Sequence, residues 1–330
     1  MKAVFIIPGP EGGTLEFRET PEPEPRPGEL LVRVKATALN RADLYQRLGS
    51  YPVRGGAAAG SPTIAGLEAA GEVVGTGEGV VGFEIGDRVM GSCQGGYAEF
   101  TTMHHRLAIP IPECLSWREA ATIPVSYMTE HNALVTNAGL KAGESVLINA
   151  ASSGVGVAAV QIAKICGAEP IIATSGDAAK LKTLLTLGVD VGINTQTENF
   201  VDAVLEATDT KGVDIIIDHV GGPVFKDNLK CLALCGRLVG VGRLGGRKSE
   251  IDLDFLALRR LHLIGVTFRT RTAEERFAIA EQFKDDLLPA LTQGRLRPVI
   301  DRIFSLRDAL EAQTYMASNA QMGKIVLTTE

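Results

Sequence analysis

The residues best suited to chemistry lie in one stretch, Val146 to Gly167, with the sequence V-L-I-N-A-A-S-S-G-V-G-V-A-A-V-Q-I-A-K-I-C-G. Its centre is a turn of small residues, Ala150-Ala151-Ser152-Ser153-Gly154. Such a turn lets a ligand approach the backbone closely, and a serine hydroxyl can donate to a phosphate oxygen. Before it, Val146, Leu147 and Ile148 read as a short strand; after it, Val157, Val160, Ile162, Ala163 and Ile165 give an amphipathic helix that Gly167 closes. Strand, tight turn and helix in that order aim backbone N–H groups and the positive end of a helix dipole at a pyrophosphate. When Gly156 is laid on the third glycine of G-x-G-x-x-G, Ala151 and Ser153 fall where the first two would be. Ala151, Ser152, Ser153, Gly154, Val155 and Gly156 are therefore the candidate dinucleotide contacts. A packing turn between a buried strand and a helix would use the same small residues, so the rest of the chain must decide.

The next expected strand, Pro170 to Thr174, leads into Thr174-Ser175-Gly176, with no carboxylate before Asp177. A site for NAD usually places Asp or Glu there to take the ribose hydroxyls. Uncharged Thr174 and Ser175 instead tolerate a 2′-phosphate, and Lys180 follows in the first turn of the next helix. A strand end of this kind admits NADPH, which a carboxylate there would repel. The alternative for Lys180 is a solvated helix lysine.

Composition narrows the class. The chain has 330 residues, 45% hydrophobic and 22% charged, with a net charge of −6. That length suffices for two domains, and the composition is that of a globular protein. The negative charge weighs against nucleic acid or an anionic membrane as partner, since either needs a basic face. The run before Pro8 is too short for a signal peptide, and no apolar stretch reaches the ~20 residues of a membrane span; a cytosolic chain is expected. Cys93, Cys114, Cys166, Cys231 and Cys235 are odd in number and scattered, and read as small buried hydrophobes rather than disulfides or ligands.

Along the chain, residues 1–124 read as β-rich: strands at Ala3 to Ile7, Leu30 to Ala38, Gly66 to Val74, Asp87 to Met90 and Ala98 to Thr102, separated by glycines and by the proline-punctuated Pro21 to Pro27. That texture suggests a partly open barrel. From 125 onward strands and helices alternate. Helices are expected at Asp177 to Leu187, Glu198 to Thr208 and Phe225 to Leu232, with strands at Val191 to Asn194, Ile215 to Asp218 and Arg237 to Val241, implying a parallel, doubly wound sheet. A strand at Leu261 to Phe268, a long helix from Thr272 towards Leu291, a strand at Val299 to Phe304, a helix at Leu306 to Met316 and a last strand at Lys324 to Leu327 complete the chain. This tail shares the texture of the opening part. The expectation is a catalytic domain of residues 1–124 and 265–330, interrupted by a cofactor domain of residues 125–264.

The motifs A-L-N-R-A-D-L-Y-Q-R-L-G-S-Y-P (Ala38 to Pro52), G-L-E-A-A-G-E-V (Gly66 to Val73), G-D-R-V (Gly86 to Val89), G-G-Y-A-E-F (Gly95 to Phe100), the A-A-S-S-G-V-G turn, D-H-V-G-G (Asp218 to Gly222) and G-K-I-V-L (Gly323 to Leu327) run through nearly the whole chain. With them the chain resembles the medium-chain dehydrogenase/reductases, and within these the zinc-free quinone oxidoreductases, nearest the p53-inducible quinone-oxidoreductase-like proteins. The resemblance implies an α/β fold, a GroES-like partly open β-barrel catalytic domain joined to a Rossmann domain, and NADPH-dependent hydride transfer to a quinone. It implies a homodimer through the edge strand near Leu261 to Phe268. It places Asn40 and Asp43 near the nicotinamide, with Asp43 alternatively a cap within a short helix. Tyr51 would stack on a planar substrate and donate to a developing oxyanion. The counterpart of Lys180 binds the 2′-phosphate. Thr195 stands where relatives often carry a tyrosine near the adenosine phosphate, and Asp218, Gly240, Gly242, Phe268 and Lys324 are further expected cofactor contacts. His219 reads as a strand-end hydrogen bonder rather than a proton donor.

Metal-dependent cousins hold zinc through a cysteine and a Gly-His-Glu. This chain has Asn40 and Gly66-Leu67-Glu68, and an alkyl group cannot ligate zinc. Cys231 and Cys235 lack nearby partners, and adjacent His104 and His105, at an expected strand end, would face opposite ways. No bound metal is expected. Without a Lewis acid to lower a hydroxyl's pKa, an already electrophilic quinone or enone is the natural acceptor. An enal or enone reductase is the rival within the same chemistry; a low-activity nucleotide sensor or RNA-binding protein is the rival from another class, disfavoured by the charge of −6.

Overall fold

The structure, a computed structural model, describes residues 1–9, 12–51 and 62–329; Pro52, the last residue of the first family motif, lies outside them. The chain divides into two compact units, Met1–Met128 with Ala273–Glu330, and Thr129–Thr272. The expected breaks after residues 124 and 264 fall later. The first lies within a helix that begins at Pro124, and the segment after the strand ending at Gly265 stays with the second unit.

In chain order the first unit opens with strands β1 (Lys2–Ile7), β2 (Thr14–Glu19) and β3 (Glu29–Ala38), helix α1 (Arg41–Arg47), and strands β4 (Thr63–Ile64), β5 (Glu68–Thr76), β6 (Arg88–Ser92), β7 (Phe100–His104) and β8 (Ala108–Pro110). Helices α2 (Trp117–Ala120) and α3 (Pro124–His131) follow. The second unit contains β9 (Val146–Ile148), α4 (Gly154–Ile165), β10 (Ile171–Ser175), α5 (Ala178–Leu187), β11 (Val191–Asn194), α6 (Phe200–Ala207), β12 (Val213–Asp218), α7 (Gly222–Cys231), β13 (Leu232–Gly240), α8 (Leu253–Leu258) and β14 (His262–Gly265). The chain then returns to the first unit with α9 (Ala273–Thr292), β15 (Ile300–Ser305), α10 (Ala309–Ala317) and β16 (Lys324–Thr328).

In the first unit a three-stranded sheet runs β2-β1-β4 and a larger one runs β15-β16-β3-β5-β6-β8, with β7 also paired to β3. The terminal strand β16 lies against β3, Val326 opposite Ala38. Antiparallel strands with one buried face alternate, and β3 does so: Leu30, Val32 and Val34 point into a core with Val73, Val89 and Met103 while Arg33 is exposed. A second core gathers Val4, Ile6, Leu44, Tyr97, Met316 and Leu327, drawing both ends of the chain together.

In the second unit six parallel strands lie in the order β11-β10-β9-β12-β13-β14. The first strand of the unit is thus central, and the direction of winding reverses between β9 and β12, which is where open α/β sheets bind ligands beyond the carboxyl ends. Strands covered on both faces need continuous apolar runs; Val146, Leu147 and Ile148 in β9 and Ile215, Ile216 and Ile217 in β12 are all fully buried.

Several expectations are corrected. Strand β2 and helix α8 come without strong periodicity in so few residues. β13 starts at Leu232, five residues early: Leu232 pairs with Val213 ahead of a register shift, within which Cys235 takes a positive φ of 63°, and regular pairing resumes at Arg237 opposite Ile215. β14 stops at Gly265 rather than Phe268. His104 and His105 do not face apart: β7 ends at His104, a 3-10 turn starts at His105, and the rings stack at 4.9 Å. Among the cysteines, all free, Cys93 and Cys231 are buried but Cys114 is exposed and Cys166 and Cys235 only partly covered. Cys114 sits beyond the sheet, its thiol donating to the Leu291 carbonyl.

Leu147, wholly buried among Ile172, Ile193, Ile216 and Leu229, should cost ~2–5 kcal/mol when truncated to alanine. Leu185→Ala, at a side chain 47% exposed, should stay within about 0.5 kcal/mol. Urea midpoints check this; equal effects would contradict the buried parallel core.

Candidate cofactor and catalytic sites

The turn between β9 and α4 is built by hydrogen bonds to its own small residues. Ser153 is the N-cap of α4, its Oγ accepting the Gly156 N–H at 3.1 Å. Gly154 and Val155 are then the first two helical residues, whose N–H groups have no carbonyl one turn back. A Cβ on Gly156 would lie 2.5 Å from the Ala151 Cα, so only glycine allows α4 to start this close to the turn. Ala150 occupies the left-handed region at φ 53° without being glycine.

At the end of β10 two hydroxyls are partly committed. Thr174 Oγ1 accepts from the Ala150 N–H (3.2 Å) and donates to Asn149 Oδ1 (3.1 Å), while Ser175 Oγ lies 3.2 Å from Ser152 Oγ. Thr174 therefore braces the turn, and Ser152 of the turn pairs with Ser175 at the end of β10. Asp177 is the N-cap of α5, its Oδ1 accepting from the Ala179 and Lys180 N–H groups, and these bonds hold its carboxyl below the usual range. Lys180 is the third residue of α5. Thr195 is exposed and its N–H donates to the Ser175 carbonyl, which joins it to the same group.

Asp218 is less open than expected. Its Oδ1 accepts from the Val220 and Gly221 N–H groups at 2.8 and 3.0 Å, and its carbonyl accepts from Val241 and Gly242. Burial, set against those two bonds, leaves its carboxyl above the ordinary range. Gly242 is required by packing, since a Cβ there would lie 2.3 Å from the His219 carbonyl; Gly240 closes β13 opposite Asp218. Phe268 follows β14 in the same unit.

His219 is buried, with Nδ1 2.7 Å from the Asn149 carbonyl and Nε2 3.0 Å from Glu130 Oε1. A carbonyl only accepts, so Nδ1 carries a proton; a second on Nε2 makes the ring an imidazolium facing a carboxylate. Burial opposes that charge, but Glu130, with the Asn149 bond, holds the His219 pKa above its ordinary value. Among the described residues Glu130 Oε2 has no hydrogen-bond partner. Glu130 was not anticipated, for its partner is 89 positions away.

In the first unit, α1 and the strands beside it bury a charged cluster. Glu68 Oε1 accepts from Asn40 Nδ2 (2.7 Å) and Lys324 Nζ (2.8 Å), and its Oε2 accepts from the Val125 N–H (2.8 Å). Lys324 Nζ also donates to Asn40 Oδ1 at 2.8 Å. Asp43 forms a capping box with Asn40, its Oδ2 accepting the Asn40 N–H (2.7 Å) and the Tyr97 hydroxyl (3.1 Å). Burial pushes the Asp43 carboxyl up to about 7, against the Asn40 bond and the Lys324 charge, and burial beside Asp43 lifts the Tyr97 phenol well above its usual value. Asn40, Asp43 and Lys324 are thus brought together. Lys324, expected at the cofactor, is engaged here by Glu68 and Asn40. Tyr51 follows α1, half-buried, its N–H on the Tyr45 carbonyl. Glu68 and Tyr97 were missed as site residues. The signal for Glu68 is a lone carboxylate among small residues in a strand, A-G-L-E-A-A-G; Tyr97 gives none. Among the described residues no group of three His, Cys, Asp or Glu could hold a metal ion.

The zinc-binding dehydrogenase family matches residues 154–284, and the alcohol dehydrogenase GroES-like domain matches residues 26–113. Over 327 residues the chain is 32% identical to the quinone oxidoreductase of Rattus norvegicus, covering 98% of this chain and 96% of that one. A solved mycobacterial structure complexed with NADPH is similar with a TM-score of 0.87 at 29% identity, covering 99% of this chain and 100% of the other. The CurK enoyl reductase is similar with a TM-score of 0.86 at 27% identity, covering 99% and 98%. Likeness at this level through both units means that the chain belongs to the medium-chain dehydrogenase/reductase superfamily and, within it, to the quinone oxidoreductases.

Proposed function

We propose that this oxidoreductase uses NADPH to reduce quinones, without a metal. The observation that carries the reading is the small-residue turn at the reversal point of the parallel sheet, with Ser152 and Ser175 beside it and Lys180 in the first turn of α5. Gly154 and Val155 N–H groups and the Ser152 and Ser153 hydroxyls would hold the pyrophosphate. Ser175, Thr195 and Lys180 would hold the ribose and its 2′-phosphate. When bound, NADPH supplies a hydride from its nicotinamide ring.

The residues expected to serve the acceptor belong to the first unit. The amide of Asn40 is engaged on both sides, by Glu68 and by Lys324, and Asp43 is bonded to Asn40, so these residues position the segment that leads to Tyr51. Tyr51 then stacks against a planar acceptor, and its hydroxyl or solvent supplies a proton. The reading without zinc rests on donor chemistry. Leu67 stands where the cousins carry an imidazole, and the cation facing Asn40 and Glu68 is the Lys324 ammonium.

A reductase of enals or enones fits the same cofactor site, and the likeness to an enoyl reductase favours keeping it as the second reading. A homodimer is supported by β14, which ends the parallel sheet, and by Leu253, Leu258 and Leu263 nearby, 68%, 72% and 42% exposed.

Oxidation of NADPH followed by its absorbance should be faster with phenanthrenequinone than with a straight-chain enal; the reverse order favours the second reading. A charge-assisted hydrogen bond contributes roughly 1.5–3 kcal/mol, so Lys180→Ala should raise the KM for NADPH about 10- to 150-fold and leave that for NADH nearly unchanged. Equal effects on both would remove Lys180 from the 2′-phosphate.

Asp43 makes a prediction of definite sign. Its carboxyl titrates at an ordinary 3.8 in the unfolded chain and at about 7 when folded, so the folded state keeps a proton that the unfolded chain releases. The stability this contributes is complete below the unfolded value and is lost as pH rises through the folded one. Thermal melting from pH 5 to 8 should therefore fall more steeply for the native chain than for Asp43→Asn; parallel curves would contradict the buried acid.

A further inference from the structure

The peptide joining Asn149 to Ala150 is the first of the cofactor turn, and it is held at both edges. Its carbonyl accepts from His219 Nδ1 at 2.7 Å, and its N–H donates to Thr174 Oγ1 at 3.2 Å. The same peptide leads directly into Ala150, whose positive φ of 53° a residue with a side chain rarely adopts. Such a conformation persists only where the surroundings over-determine it. The two side chains come from either side of β9, Thr174 at the end of β10 and His219 just beyond β12. They meet the peptide at the point where the sheet reverses direction.

The His219 ring has no freedom to do otherwise. Nε2 is fixed by Glu130 on α3, which is fully buried, and a Cβ-free Gly242 packs against the His219 carbonyl. The Asn149 side chain is locked as well, donating to Asn228 Oδ1 on α7 at 2.7 Å and accepting from Thr174. An apolar residue at position 219 would leave both the Asn149 carbonyl and the Glu130 carboxylate without this donor. Holding a histidine, with an acid behind it, in a sheet interior is a costly way to end a strand; orienting one peptide plane is a use that accounts for it.

We propose that His219, anchored by Glu130, is a positioning residue for the dinucleotide turn: it clamps the Asn149–Ala150 peptide, keeps Ala150 left-handed, and so presets the N–H groups that receive the pyrophosphate. This rests on the cofactor reading above, and it gives His219 and Glu130 a role in binding without contact with the ligand.

The test uses the full chain with the double variant Glu130→Gln/His219→Leu, in which no carboxylate is stranded. Amide exchange across residues 147–155, measured without cofactor, should become faster in it. The NADPH dissociation constant from fluorescence titration should rise about 5- to 150-fold, as expected for a buried acceptor left unpaired. Glu130→Gln alone keeps the ring but removes its charged anchor, and should raise the dissociation constant by less than the double variant does. Glu130→Gln/His219→Asn, which retains a donor for the Asn149 carbonyl and likewise strands no carboxylate, should restore slow exchange, and it serves also if the first double variant does not fold. Unchanged exchange in the folded Glu130→Gln/His219→Leu chain overturns the clamp, as does fast exchange in Glu130→Gln/His219→Asn. Faster exchange with unaltered NADPH affinity overturns the positioning role. If the native chain takes up no NADPH while exchange still responds, the cofactor reading fails and the clamp stands.

Discussion

A carboxylate removed from water must be answered by a donor, and each unit of this chain meets that demand with one buried pair. In the first unit Lys324 answers Glu68, at 5% and 0% exposure; in the second, His219 answers Glu130. Replacing such pairs with apolar side chains is often neutral or stabilising, whereas removing one partner is strongly destabilising. Pairs of this kind are therefore poor explanations of stability. What they do fix is geometry, because every remaining donor and acceptor must find its partner at one position. Asn40, Asp43 and Tyr97 are ordered around the first pair, and Asn149, Thr174 and Ala150 around the second.

The turn at the end of β9 shows how such ordering replaces glycine. A dinucleotide turn needs unusual backbone angles and close approach, and glycine supplies both at an entropic cost. Here Ala150 takes the left-handed angle and alanine and serine fill the places of the first two glycines, while Gly156 remains where a side chain would strike the Ala151 backbone. The strain at Ala150 is offset by two directed hydrogen bonds rather than by the absence of a Cβ. Serines in the turn also leave hydroxyls where glycines would leave bare backbone, and Ser152 reaches Ser175 across the ends of β9 and β10.

Much of this was legible from sequence. The parallel sheet announced itself through Val146 to Ile148 and Ile215 to Ile217, runs too apolar for any surface, and α5 through Asp177 at its start and Gly188, with φ 114°, at its end. The return of the tail to the opening sheet was readable in texture, though β16 against β3 is a pairing of residues almost three hundred apart. What escaped is what depends on distant partners. The stacking of His104 on His105 turns on one residue's switch from strand to 3-10 turn. The capping box of Asp43 with Asn40 is local, but the Tyr97 hydroxyl on the same carboxylate oxygen comes from 54 positions away. The engagement of Lys324 by Glu68, 256 residues away, and of His219 by Glu130 leaves no trace in local periodicity.

The first-unit cluster also bears on which acceptors the protein can serve. Asn40 and Glu68 belong to the segments that carry metal ligands in the zinc-dependent cousins, yet the positive charge they face comes from Lys324 of the chain itself. An ammonium satisfies a carboxylate and an amide oxygen as a cation does, but it has no vacant coordination position with which to polarise an alcohol or a carbonyl. On the proposed reading the charge is spent on holding α1, β5 and β16 together, and the electrophilicity must be brought by the substrate. Quinones and enones bring it; simple alcohols and their carbonyl products do not. The difference between the two chemistries then comes down to whether the cation at this place is a structural group of the chain or an open Lewis acid.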